Sequence, residues 1–314
     1  MQSTHPEATG VLAALSDELA GAAERAGRAV VAIHARRRIP ASGVLWRPGV
    51  VVATHHTLER EEDLRVTLAD GRSATAQLAG RDPATDLAVL RLEGDAAALP
   101  AAETADAGAL RVGQLVLALG RPWEGGVTAS LGVVSALAGE WRTGLGGRID
   151  RLIRLDLSVR DGFSGGPLVD TQGRVLGINT SALARAAALT IPTATVERIA
   201  EQLLRSGRVA RGFLGIATQP VRLPAALTQA LGLTQEVGLL VVGVEPGGPA
   251  ERAGLLLGDV LVSFAGTAVG EPAELAAQLG GERVGTAAEL RLVRAGQVQA
   301  LSVTIGERPR GRGR

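Results

Sequence analysis

The sequence predicts a mainly β chain, and three observations carry that expectation. Short Val- and Leu-rich runs such as Gly49-Val-Val-Val-Ala-Thr54 and Leu87-Ala-Val-Leu90 recur between Gly and Asp residues, as strands bounded by turns do. Asp70-Gly71 separates the runs Leu64–Leu68 and Ala74–Leu78, a hairpin signal. Gln172-Gly173 repeats the device between Pro167–Asp170 and Val175–Asn179. At 314 residues a single core would be unusual, so two or three units are expected.

Taken in order, residues 1–29 read as an N-terminal helical segment. Residues 9–27 are Ala-rich, with Val11, Leu12, Leu15 and Leu19 on one helical face. The strands that follow fit two six-stranded barrels, over about 30–108 and 109–192. Thr193 can cap a helix with Val196, Ile199, Leu203 and Leu204 on one side and Gly207 as its terminator. Residues 193–210 are therefore a linker helix and 211–307 a further domain. The Gly/Arg/Pro tail 308–314 is expected to be disordered.

Composition narrows the function. Aromatic residues make up 2% of the chain, so aliphatic side chains must fill the cores. All 33 basic residues are arginine, yet the net charge is only +1, which gives no reason to propose a nucleic-acid partner. The lack of cysteine excludes disulfides, thiolate metal sites and a cysteine nucleophile. The first arginine is Arg25, and Asp17, Glu18 and Glu24 interrupt the Ala/Leu-rich start, so neither a secretory leader nor a transmembrane segment is read. As written, the chain is expected to be cytoplasmic; periplasmic or extracellular is the expectation if an N-terminal segment is missing.

The most informative stretch is Asp161-Gly-Phe-Ser-Gly-Gly-Pro-Leu-Val-Asp170. Glycines around Ser164 let the backbone turn sharply and bring amide N–H groups to a reacting carbonyl; the competing reading is an ordinary turn serine. A nucleophilic serine needs a base and an orienting acid. Of the four histidines, His5 lies in a polar terminus and His34 is a strand residue before Arg36, Arg37 and Arg38. His55 and His56 end an apolar run, where a strand delivers side chains to a cleft. Asp82 precedes a proline and suits a turn start. Asp86, directly before Leu87-Ala-Val-Leu90, is the better buried carboxylate, against the alternative of a second turn residue. The chain order is then His, Asp, Ser.

These residues, with Leu64–Arg72, Leu110–Gly120, Gly132–Leu137 and Gly173–Thr180, resemble the HtrA/Deg family of trypsin-like serine proteases with a C-terminal PDZ domain. The resemblance runs from about Val30 to Glu307. It implies a trypsin-like double β-barrel over 30–192 and a PDZ domain, a partly open barrel or β-sandwich with two helices, over 211–307. Counting back from Arg65-Val-Thr-Leu68, it implies a triad of His56, Asp86 and Ser164, with Gly162 and Ser164 supplying the oxyanion hole. Arg211-Gly-Phe-Leu-Gly-Ile216 resembles the PDZ carboxylate-binding loop, with Phe213, Leu214, Gly215 and Ile216 binding peptide C-termini beside a helix over Glu271–Leu279.

The implied function is an endopeptidase acting on unfolded or damaged proteins, without cofactor or metal, as a possible homotrimer. The alternative is a catalytically weak or inactive protease-like protein that binds peptides. Ala186–Ile191 would line the pocket for the residue before the scissile bond and favour aliphatic side chains. The sequence departs from the family where Arg160-Asp-Gly-Phe163 replaces Asn-Pro-Gly-Asn and His55-His56-Thr57 replaces Asn-His-Val. Phe163 cannot hold the loop by side-chain hydrogen bonds, and a desolvated Asp161 would oppose an oxyanion beside it.

Overall fold

A computed structural model describes residues 7–36, 39–94, 99, 101–122, 126–158, 161–184 and 188–307. His5, Arg37, Arg38, Arg160, Ala186, Ala187 and the tail 308–314 lie outside the described residues. The chain divides into two compact units, residues 1–209 and 210–314.

In the first unit, β1 (Val30–His34), β2 (Ala41–Arg47), β3 (Val50–Thr54), β4 (Leu64–Thr67), β5 (Ser73–Asp82) and β6 (Leu87–Leu92) form a closed barrel in the order β1-β2-β3-β6-β5-β4. The predicted hairpin joins β4 to β5: Gly71 takes φ 85°, and the Asp70 carboxylate accepts the Arg72 N–H at 3.0 Å. Strand alternation sends Val31, Ile33, Leu45, Val51, Leu64, Val66 and Leu90 into the barrel.

The second barrel comprises β7 (Leu115–Gly120), β8 (Thr128–Ala138), β11 (Leu152–Asp156), β12 (Pro167–Val169), β13 (Val175–Thr180) and β14 (Ala188–Pro192), with the short hairpin β9 (Trp141–Arg142) and β10 (Arg148–Ile149) between β8 and β11. Val116, Val134, Ile153, Leu155, Leu168 and Leu176 fill it. Gly173, at φ 83°, turns β12 into β13.

The outward faces of several strands are also buried. Val30, Val44, Val52, Leu87 and Val89 of the first barrel meet Leu117, Leu119, Val169 and Ile178 of the second in one cluster. Strands such as β3 therefore need apolar residues on both faces, which is why they read as unbroken apolar runs. The helix α2 (Thr193–Ser206) closes that cluster with Val196, Ile199, Ala200 and Leu203. Gly207 ends it at φ 73°, but Pro192 occupies the N-cap. Thr193 lies one residue inside the helix and spends its hydroxyl on the Ala105 carbonyl, at 3.0 Å.

The N-terminal helix α1 (Glu7–Gly27) buries the continuation of its predicted leucine stripe and leaves the start of that stripe exposed. Ala22 and Ala26 are buried and Leu19 and Ala23 pack beside them, whereas Val11 and Leu12 are each 70% exposed. Small side chains let the second half of the helix approach the core closely.

In the second unit, β16 (Ile216–Arg222), β17 (Val237–Val244), β18 (Val260–Phe264), β20 (Ala287–Arg294) and β21 (Gln297–Thr304) form a sheet in that order, and β19 (Thr267–Ala268) pairs with β18. Its helices are α3 (Ala225–Leu231), α4 (Pro249–Arg252) and α5 (Pro272–Gln278), while β15 (Gly212–Phe213) pairs with β22 (Gly306–Glu307). The core is Leu239, Val241, Leu261, Phe264, Leu275, Leu290, Leu292 and Val303.

Candidate active site

After β3 the chain makes a single tight turn, His55–Thr57, in which the Thr57 hydroxyl donates back to the Thr54 carbonyl at 2.8 Å. This turn faces the loop between β5 and β6. The His55 N–H donates to the Asp86 carbonyl at 3.0 Å, and the His56 N–H donates to Asp86 Oδ1 at 2.9 Å. The imidazole lies over the same carboxylate, with His56 Nδ1 2.8 Å from Oδ2 and 3.0 Å from Oδ1. Asp86 is 2% exposed and adopts φ 57°, a left-handed conformation that aspartate tolerates better than most residues. A buried carboxylate must be compensated. A third donor is the Thr180 hydroxyl at the end of β13, 2.6 Å from Oδ2. A neutral imidazole donating from Nδ1 presents a lone pair at Nε2.

The Asp86 loop is held from the second barrel too. Thr143, in the turn between β9 and β10, donates its hydroxyl to the Ala84 carbonyl at 2.6 Å and accepts the Gly147 N–H at 3.0 Å. Asp82 caps the loop start by accepting the Thr85 hydroxyl at 2.7 Å.

Ser164 lies in the turn entering β12 and is 6% exposed. Gly162 and Gly165 have φ of 86° and 89°. A Cβ on Gly165 would overlap the Ser42 carbonyl oxygen, so that position needs glycine for space as well as for backbone conformation. The Ser42 side chain, fully buried on β2, donates to the Gly162 carbonyl at 2.5 Å and accepts the Arg121 N–H at 2.8 Å. The Gly166 N–H donates to the Phe163 carbonyl and the Gly165 N–H to the Asn179 carbonyl, each at 2.9 Å. The N–H groups of Gly162 and Ser164 have no backbone acceptor among the described residues.

Two of the departures now have physical readings. Phe163 is 2% exposed and abuts Gly120, so residue 163 helps to hold the loop by burial and not by hydrogen bonds from its own side chain. Asp161 is exposed, so its charge remains solvated and screened.

The hydrogen bond of the Ser164 hydroxyl is to the Ser181 hydroxyl, 3.1 Å away, and not to His56. Sequence reasoning passed over Ser42, Thr180 and Ser181. Thr180 ends a motif it did quote, Gly173–Thr180, and Ser181 directly follows it, whereas no local pattern marks Ser42. His55 is half-buried, its Nδ1 has no hydrogen-bond partner, and burial followed by the nearby Arg81 charge holds its pKa below the ordinary value. His34 lies away from this cluster on β1, with Nε2 2.8 Å from the Thr67 hydroxyl. Among the described residues, no group of three or more His, Asp or Glu side chains is placed to hold a metal ion.

In the second unit, Phe213 belongs to β15, and Ile216 opens β16, an edge strand of the sheet. The Leu214 carbonyl accepts the Ala250 N–H and the Gly215 carbonyl accepts the Glu245 N–H, both at 2.8 Å. Gly215 takes φ 76° between them. Helix α5 lies beside β16 and turns Leu275 into the core.

Family models match at residues 41–178 for a trypsin-like peptidase domain and at 212–305 for a PDZ domain. A probable periplasmic serine endoprotease, DegP-like, of Brucella suis is 34% identical over 90% of this chain, and one of Halomonas elongata is 33% identical over 87%. The chain spans just over half the length of these curated relatives, 55% and 57%. Among solved structures, the HtrA-type protease AlgW with a decapeptide superimposes with a TM-score of 0.75 at 30% identity, covering 93% of this chain and 99% of that one. The serine endoprotease from Yersinia pestis gives 0.74 at 32% identity, covering 93% and 98%.

The expectation of a cytoplasmic chain is corrected by the names of these relatives, which are periplasmic. That expectation came from the polar, interrupted start of the sequence, and the start reports only on the segment given. Among the described residues no helix is long and apolar enough to cross a membrane. The chain belongs to the HtrA/DegP-like family of trypsin-like serine proteases that carry a PDZ domain.

Proposed function

We propose that this chain is a serine endopeptidase in which Ser164 attacks the substrate carbonyl, His56 accepts its proton and returns it to the leaving amine, and Asp86 orients and stabilises the imidazolium. The Gly162 and Ser164 N–H groups hold the oxyanion. The observation that carries this reading is the Asp86 carboxylate, buried and accepting from His56 Nδ1, the His56 N–H and Thr180 together. Such an arrangement selects the tautomer a general base needs. The peptidase domain is 30–192, with 193–210 as the linker helix.

Residues 211–307 bind peptide C-termini through Phe213, Leu214, Gly215 and Ile216, the ligand adding a strand along the free edge of β16. The HtrA-type protease AlgW, solved with a decapeptide, supports a peptide-binding reading of this chain. Substrates are unfolded or damaged proteins, the assembly is a homotrimer, and the relatives' names point to the periplasm.

The test is labelling of the purified chain by a fluorophosphonate, with Ser164→Ala as control and unfolded casein alongside. Ser164-dependent labelling with casein cleavage is the expected result. A folded chain that neither labels nor cleaves, even with hydrophobic C-terminal peptides added, would favour the second reading, a peptide-binding protein without activity. The Ser164–Ser181 hydrogen bond is the observation on that side.

A further inference from the structure

Within the reading of Ser164 as nucleophile, we propose that Ser181 is a positioning residue that restrains the Ser164 hydroxyl in the resting chain and slows its acylation. Ser164 is 6% exposed, and a buried hydroxyl is costly without a partner. The partner here is Ser181 Oγ, at 3.1 Å. Ser181 itself is exposed, on the bend that follows β13, so no packing requirement explains a hydroxyl there.

The two residues at this exit address different members of the site. Thr180 donates to Asp86 and Ser181 bonds Ser164. The first contact favours a functional base. The second competes with it in one of its two directions: either hydroxyl can be the donor, and when Ser164 donates to Ser181 its one hydrogen is unavailable to His56. With its Oγ bonded to Ser181, Ser164 makes no hydrogen bond to His56. In that arrangement the Ser164 hydrogen must leave Ser181 before it can pass to the imidazole. The cost appears in the acylation step and not in substrate binding.

The probe is a fluorophosphonate, used on the full chain. The Ser164 Oγ–P bond forms, the P–F bond breaks, the serine proton passes to His56 and fluoride leaves. A net hydrogen bond of ordinary strength corresponds to about a 2- to 10-fold rate change. Ser181→Ala is therefore expected to label about 2- to 10-fold faster than the wild type. With a peptide substrate it should raise kcat by a similar factor, leaving KM little changed. Ser181→Thr keeps the hydroxyl and should label close to the wild-type rate. Loss of a residue needed only for structure would lower these rates or leave them alone.

If the wild type labels at Ser164 and Ser181→Ala labels no faster, Ser181 is not a restraint and the protease reading stands. Labelling of Ser181→Ala but not of the wild type would support both readings. Labelling of neither folded protein would overturn both.

Discussion

The hydroxyl of Ser42 reaches across the barrel interface to the carbonyl oxygen of Gly162, 2.5 Å away, while accepting the Arg121 N–H at 2.8 Å. One buried side chain thus ties β2, the end of β7 and the serine loop together. The bond fixes which way the Gly162–Phe163 peptide faces, and so the orientation of the loop that presents Ser164. Ser42→Ala removes an acceptor and a donor at once and leaves two buried backbone groups unpaired. The expected loss is about 1–3 kcal/mol of stability. If the loop shifts, kcat/KM should fall about 10- to 100-fold, chiefly in kcat. Peptide kinetics on a folded Ser42→Ala sample check this, and an unchanged kcat would assign Ser42 a purely structural role.

Phe163 should behave as a core residue despite lying one position from the nucleophile. Phe163→Ala is expected to cost about 3–5 kcal/mol, whereas Phe163→Leu should cost less. All three tryptophans, Trp46, Trp123 and Trp141, lie in the first unit. Intrinsic fluorescence during guanidinium unfolding therefore reads that unit alone. A Phe163→Ala midpoint equal to the wild type's would show that burial does not anchor the loop.

His55 makes the stability of the first unit sensitive to mild acid. Its folded pKa lies below the ordinary value of 6.5, from burial and then from the Arg81 charge. As pH falls past that ordinary value, the unfolded chain takes up the proton before the folded one does, so stability decreases. His55→Gln removes this term. Between about pH 7.5 and pH 5.5 the variant should lose less stability in urea than the wild type, as read by tryptophan fluorescence. Equal losses would mean that His55 has no perturbed titration.

In the second unit, Asp259 is 2% exposed and accepts two hydrogen bonds from Arg294, each at 2.7 Å, plus the Leu256 N–H at 2.8 Å. Burial alone would raise its pKa, but the Arg294 hydrogen bond, the Leu256 amide and the arginine's charge together hold it below 3.8. The carboxylate therefore contributes stability above about pH 3.8, and that contribution disappears as pH falls through the lower folded value. Asp259→Asn should cost about 1–2 kcal/mol near neutrality, the partly exposed Arg294 keeping the figure modest. Amide hydrogen exchange across 255–262 and 290–294 would measure it. Unaltered exchange there would show that the pair is not stabilising.

Local sequence determined much of this molecule. Asp70-Gly71 and Gln172-Gly173 specify their turns because glycine reaches positive φ cheaply, and both hairpins form where they stand. Runs such as Val50–Val52 announce strands buried on both faces. The glycines flanking Ser164 mark a loop whose backbone conformation most side chains would oppose. What local pattern could not decide was which distant groups complete the site. Ser42 is 120 residues from Gly162 and Thr180 is 94 from Asp86, contacts made only when two barrels close against each other. The tertiary structure also decided that Phe163 is buried, that Asp161 stays in water, and that the Ser164 hydroxyl rests on Ser181. Turn and strand preferences arise from a residue's own backbone and nearest neighbours. Burial and long-range hydrogen bonding depend on everything the fold brings to the same place.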